Sequence, residues 1–160
     1  MKYVKPFLVL MTVLSWFSLA FAGKKSVKRF LPTSLFMAII VTLVQFIAKK
    51  RRWWFWYGKK HPTVLASFPF TWGTFFAGSL WIMKFTYGNF KRYIGLNLIV
   101  HLAFTYVGEP ILKKFGVAQL VRMKKIQLMY VLMMLALLFY GFHFVKEKEL
   151  VKRNVLNKIE

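Results

Sequence analysis

Residues 30–61 read FLPTSLFMAIIVTLVQFIAKKRRWWFWYGKKH. From Phe30 to Ala48 there is no charged side chain; four cations follow at once, Lys49, Lys50, Arg51 and Arg52. Next come Trp53, Trp54, Phe55, Trp56 and Tyr57, and then Lys59, Lys60 and His61. An apolar run of this length, wound as a helix at about 1.5 Å per residue, spans the roughly 30 Å hydrocarbon core of a bilayer. Trp and Tyr favour the headgroup level, where the ring is half in hydrocarbon and its N–H or O–H stays wet. Cations on both sides of the aromatic group suit an anionic surface. This stretch therefore predicts a membrane span that ends in a basic-aromatic belt lying at the interface. The belt comprises Lys49, Lys50, Arg51, Arg52, Trp53, Trp54, Trp56, Tyr57, Lys59 and Lys60.

The rest of the chain repeats the same alternation. Apolar residues make up 58% of the 160, yet the net charge is +21. These two properties coexist only because they are segregated into uncharged runs and short basic clusters. The runs predict five transmembrane helices, at about 6–22, 30–48, 63–83, 94–112 and 126–145, in one all-α membrane bundle without a domain boundary. Residues 146–160 predict a charged helical tail. Val151, Val155 and Ile159 recur every four residues in it, and Glu149 and Arg153 stand at i, i+4. A nucleic-acid binder would gather its cations on one soluble face, so the spacing argues against nucleic acid and for anionic phospholipid headgroups.

The first run has two readings. It is a retained span, or it is a signal peptide with Ala20-Phe21-Ala22 as the cleavage signature. Lys24, Lys25, Lys28 and Arg29 follow immediately and oppose export of what comes next. In the second run, Pro32-Thr33-Ser34 predicts a helix start capped by Thr33 or Ser34. In the third, Pro69 and Gly73 predict an interrupted helix, of the kind membranes tolerate where neighbours satisfy the freed carbonyl. Five spans place thirteen Lys and Arg on the side of the N-terminus and twelve on the other. The basic clusters therefore anchor both faces without orienting the chain.

Chemistry is confined to few residues. There is no Cys and no Asp, and the only acids are Glu109, Glu147, Glu149 and Glu160. Thiol chemistry, Cys-ligated metals and most carboxylate pairs are excluded. No phosphate-binding loop, nucleophile elbow or zinc-protease motif occurs, and His61, His101 and His143 form no i, i+4 pair. No cofactor or metal is expected, and the chain reads as non-enzymatic. The fourth run alone carries interior ionisable groups. At about 100° per residue Asn97, His101 and Thr105 share one side of the helix, with Glu109 just beyond. Ionisable groups inside a span are costly and face protein or water. Together these four form a candidate intramembrane polar site. Its plainer reading is a neutral His101 bonded to a neighbouring helix and a Glu109 that pairs with Lys113 or Lys114.

Small and hydroxyl residues line other runs: Ser34, Ala38, Thr42 and Gln45 in the second, and Ser67, Thr71, Thr74 and Gly78 in the third, where Gly73 and Ala77 form a second small-residue pair. Such faces let helices approach closely, within the bundle or towards a protein partner or a second copy of the chain.

Arg29-Phe30-Leu31-Pro32-Thr33-Ser34, the Trp53–Tyr57 group with His61-Pro62, and Phe68-Pro69-Phe70 through Gly78-Ser79-Leu80-Trp81 resemble phrases in small uncharacterised multi-pass membrane proteins of Gram-positive spore-forming bacteria. The likeness covers the chain from Arg29 to about Phe142. It implies a bacterial plasma membrane and carries no activity or site residues. Three functions are weighed: a structural, accessory or partner-binding bundle; a small transporter or channel component using His101 and Glu109; and an enzyme on lipid-linked substrates. The first is expected.

Overall fold

The computed structural model describes the backbone of residues 4–56 and 64–156 and the side chains of 6–56 and 67–149. Tyr57, Lys59, Lys60 and His61 of the belt, and the Arg153 and apolar-stripe side chains of the tail, lie outside the described residues. The chain is a helical bundle. Helix α1 (Val4–Ala22) meets α2 (Lys24–Arg51) at a single residue, Gly23, whose φ of 83° is open to glycine and strained for other residues. After α2 comes strand β1 (Trp54–Trp56). A third helical segment follows, made of α3 (Val64–Pro69), a π-helical turn at Phe70–Phe75 and α4 (Phe76–Thr86). The fourth consists of α5 (Phe90–Ala103), a second π-helical turn at Phe104–Gly108 and α6 (Glu109–Lys114). Strand β2 (Ala118–Leu120) leads to α7 (Lys125–Leu156).

Three of these helices are long and apolar enough to cross a membrane: Lys24–Arg51, Phe90–Lys114 and Lys125–Glu149. The apolar part of α1, Pro6–Ala22, is shorter. The third segment is interrupted at the expected place, and a proline flanks each π-turn. Pro69 precedes the first and Pro110 follows the second. Pro110 has no N–H for the Tyr106 carbonyl four residues back, inside the second turn, and its ring crowds that carbonyl, so the helix widens there.

The start of α2 corrects the sequence reading. The helix begins nine residues before Thr33, at Lys24, and carries Pro32 inside it. Thr33 and Ser34 are fully buried and cap nothing. The carbonyl freed by Pro32 lies in the second turn of the helix, at its basic end, where polar surroundings can serve it. At the other end Arg52 takes a left-handed conformation (φ 53°), and the Arg52 and Trp53 amides bond back to Lys49 and Ala48. This closes the helix and turns the chain into β1. Strand β1 pairs antiparallel with β2, with Trp54 opposite Leu120 and Trp56 opposite Ala118. The two-stranded ribbon is the one departure from an all-helical reading among the described residues.

Polarity is distributed inside out. Thr33, Ser34, Ser67, Thr71, Asn97, His101, Thr105 and His143 are buried. Val13, Phe17, Ile39, Phe46, Ile99, Val107, Tyr130 and Met134 are each more than half exposed. A chain in water hides its apolar side chains and shows few large apolar patches. This arrangement suits hydrocarbon as the solvent, where apolar burial drives nothing and close packing with internal hydrogen bonds must hold helices together.

The packing follows that logic. Gly73 lets α1 lie against the first π-turn: a Cβ there would stand 3.1 Å from the Thr12 Cα. The Trp16 indole donates to the Trp72 carbonyl (3.2 Å), and the Trp81 indole donates to Ser18 Oγ (3.1 Å). Tyr93, 1% exposed, donates to the Ala136 carbonyl at 2.7 Å and ties α5 to α7. Two polar ends result. At one, Arg29 of α2, Tyr87 of the α4–α5 turn and Glu147 of α7 meet. At the other, the β-ribbon joins the two basic connections around residues 49–56 and 113–125.

Candidate functional site

Among the described residues, two half-open cavities lie between the helices. The central one, of about 160 Å³, lies among α2, the third segment, α5 and α7. It is lined by His101 and Asn97 of α5, by Thr74, Gly78 and Ser79 opposite, and otherwise by apolar side chains including Met37, Phe139 and Ala136. The second, about 70 Å³, lies nearer the ribbon. Gln45, Glu109 and Gln119 are its polar linings, with Trp54 and Trp56 beside them. Phe70, Phe75 and Phe104 line both cavities. The three rings touch one another, with centroids 5.3 Å apart for Phe70 and Phe75, 5.6 Å for Phe70 and Phe104, and 6.3 Å for Phe75 and Phe104. Two of these contacts are edge-on and one tilted, as ring quadrupoles prefer. All three rings stand on the two π-turns, so these backbone irregularities set the aromatic septum between the cavities.

In the central cavity two polar groups lack partners. His101 is 91% buried and its Nε2 has no hydrogen bond among the described residues; the same holds for the Thr74 hydroxyl, and for those of Thr71 and Thr105, which are buried outside the cavity. A buried polar atom without a partner costs about 1–3 kcal/mol. Asn97 uses its amide N–H on the Tyr93 carbonyl one turn back (2.9 Å). Most of the surface is apolar. The cavity can thus surround a small, largely apolar molecule and offer it a hydrogen bond from His101 or Thr74. Roughly 150 Å³ is the size at which an apolar protein cavity takes up a benzene-sized guest.

The four residues singled out in the fourth span divide between these spaces. Asn97 and His101 line the central cavity; Thr105 is fully buried and lines neither. Glu109 lines the cavity beside the ribbon with Gln45, and among the described residues its ion-pair partner is Lys125, 3.7 Å away, rather than Lys113 or Lys114. Lys125 starts α7, and the ribbon brings it back over α6. His101 and Glu109 therefore share a helix but no cavity. Of the small-residue face, Ser67 and Thr71 are buried in the bundle, and Thr74 and Gly78 line the central cavity. In the belt, Lys49, Lys50, Arg51 and Arg52 are exposed, and Trp53 is half-buried. Trp54 and Trp56 turn inward: both indole N–H groups donate to Gln45 Oε1, at 2.7 and 3.2 Å, and Trp56 is 9% exposed.

Three features lay beyond sequence reading. The septum joins residues up to 34 positions apart, and phenylalanine occurs in every apolar run, so none of the three stands out. Gln45 is one of several hydroxyl or amide residues on its face, and only the ribbon shows which indoles it serves. The cluster of Arg29, Tyr87, His143 and Glu147 comes from three segments. There the Tyr87 hydroxyl donates to Glu147 Oε2 at 2.7 Å, and that bond raises the phenol above its ordinary pKa. Among protein-family models, curated proteins and solved structures, none matches this chain.

Proposed function

We propose that this protein is a non-enzymatic binding bundle of the bacterial plasma membrane. In this reading it has five spans, is anchored by its basic ends to anionic lipid, and takes a small, largely apolar solute with one hydrogen-bonding group into its interior. The observation that carries the reading is the central cavity, nearly all apolar, with the buried His101 Nε2 and Thr74 hydroxyl unpartnered at its wall. Five crossings are supported by the meeting of the α1–α2 junction, the α4–α5 turn and the distal part of α7 at one end, and of the two ribbon connections at the other. A non-enzymatic role rests on the few acids, the absence of Cys and the lack of a nucleophile-elbow, phosphate-loop or zinc-protease motif in the sequence. Phenol is a fitting probe, a six-membered apolar ring with one hydroxyl. Purified protein should show saturable phenol binding by calorimetry and a dose-dependent rise in melting temperature. His101→Leu should remove both effects without loss of fold. Unsaturable uptake by the wild type, or equal binding by His101→Leu, sinks the reading.

One observation favours a second reading, that the bundle passes its solute onward: the cavity beside the ribbon lies beyond the Phe70–Phe75–Phe104 septum. Phe75→Ala would then raise the flux of the probe into proteoliposomes. Unchanged flux would leave binding alone.

A further inference from the structure

A third recess lies on the outside of the bundle, where the basic end meets the apolar surface. It measures about 470 Å³, and Arg51, Trp53, Arg122, Gln127 and Tyr130 are among its walls. The two arginines are 71 positions apart in sequence. The ribbon sets them together: the Arg122 amide donates to the Arg52 carbonyl (3.3 Å), and the Val121 amide donates to the Trp53 carbonyl (3.0 Å). Both arginines are exposed, and neither has an acidic partner among the described residues. The nearest described carboxylate at this end, Glu109, is engaged with Lys125; Glu147 is held by Arg29 at the other end. Two guanidinium groups without an acidic partner line one recess, so an anion that enters it meets both. The first turn of α7 adds the partial positive charge of a helix N-terminus.

We propose that this recess binds the phosphate of an anionic phospholipid, with Arg51 and Arg122 as a two-armed clamp and the acyl chains lying along α7. Guanidinium groups match phosphate oxygens with paired N–H donors. The choice of a lipid over free phosphate comes from the wall below the arginines. Ile126, Tyr130 and Met134 recur every four residues on α7 and are 52%, 68% and 62% exposed. They form an apolar track along α7 that shares Tyr130 with the recess. Trp53 and Tyr130 stand at the junction, as aromatic rings do at the headgroup level. Free phosphate has no use for that track; a phospholipid fills the recess and the track together. This inference rests on the reading that the ribbon end lies at a bilayer surface.

The test uses the full chain in bilayer discs that contain equal phosphatidylglycerol and phosphatidylcholine, with retained lipid measured by native mass spectrometry. Wild type should retain phosphatidylglycerol in preference. The double variant Arg51→Gln/Arg122→Gln should lose that retention by roughly 30-fold, as expected for two cations at a lipid surface. Lys25→Gln/Lys28→Gln, which removes the same charge from the opposite end and so lowers only the general attraction for anionic lipid, should lose less. Arg122→Lys keeps the charge without the forked donor set and should lose less than the double variant. Inorganic phosphate at millimolar concentration should not displace the lipid. Equal retention of the two lipids by wild type, equal loss in both double variants, or displacement by phosphate overturns the proposal. The wild-type comparison decides even if the arginine variant does not fold. Flotation of the protein with vesicles tests the membrane reading separately.

Discussion

Arg29 and Glu147 join the two longest helices of the bundle across 118 positions of sequence, with the guanidinium Nη2 2.7 Å and Nε 2.9 Å from one carboxylate oxygen. Tyr87 completes the contact. Its ring lies under the guanidinium at 3.9 Å, and its hydroxyl donates to the second carboxylate oxygen. His143 stands between them, with Nδ1 3.1 Å from the Thr33 hydroxyl. One acid thus holds the start of α2, the α4–α5 turn and the distal part of α7 in register.

The pair is partly exposed, so its worth is set by solvent screening. Glu147→Gln should cost about 1 kcal/mol, a fall of roughly 2–4 °C in melting temperature. The same substitution should let Tyr87 ionise at lower pH, because the carboxylate that accepts its proton is gone. A double-mutant cycle with Arg29→Gln should give a nonzero coupling energy; additivity would show that the contact contributes nothing.

Two glycines in one helical segment should respond oppositely to a methyl group. Gly73→Ala drives a Cβ to within 3.1 Å of the Thr12 backbone and should cost about 1–3 kcal/mol, because helix α1 must move as a unit. At Gly78 nothing stands within 4 Å, and Gly78→Ala should be neutral or stabilise by up to about 1 kcal/mol. Thermal melts of the two variants in one detergent make the comparison.

Gln45→Leu removes the acceptor shared by the Trp54 and Trp56 indoles. Stranding buried donors costs about 1–3 kcal/mol. The loss should appear as a lower melting temperature and a change in tryptophan emission as the ribbon end loosens. Emission and stability equal to wild type would mean that the indoles find other partners.

Sidedness can be read directly, since the chain has no native Cys. Lys25→Cys and Lys91→Cys should react with an impermeant maleimide from one side of the membrane. Lys50→Cys and Lys113→Cys should react from the other. Reaction of Lys25→Cys and Lys50→Cys from the same side would remove one crossing and break the five-span reading.

The apolar runs long enough to span a membrane, the helical class and the interruption beside Pro69 were legible in the sequence, because each depends on a local quantity. The run from Phe30 to Ala48 is long and uncharged whatever it touches, and Pro69 perturbs its own helix by lacking an N–H. The polar face of the fourth span was legible as far as helical geometry reaches: Asn97, His101 and Thr105 do lie inside. What those groups meet was not, because a partner on another helix is set by the packing of whole segments. Only the tertiary structure separated His101 from Glu109 by three phenylalanine rings, turned Trp54 and Trp56 from the interface towards Gln45, and carried Glu109 to Lys125. The start of α2 escaped local reading too, since Pro32 and Thr33 are helix-start signals only when the preceding turn has not already formed. For the opening stretch, composition determined that residues 30–48 are long and apolar enough to cross a membrane and that cations follow. The ribbon, which needs Trp54–Trp56 and Ala118–Leu120 side by side, decided which aromatic rings face inward and which arginines share a recess.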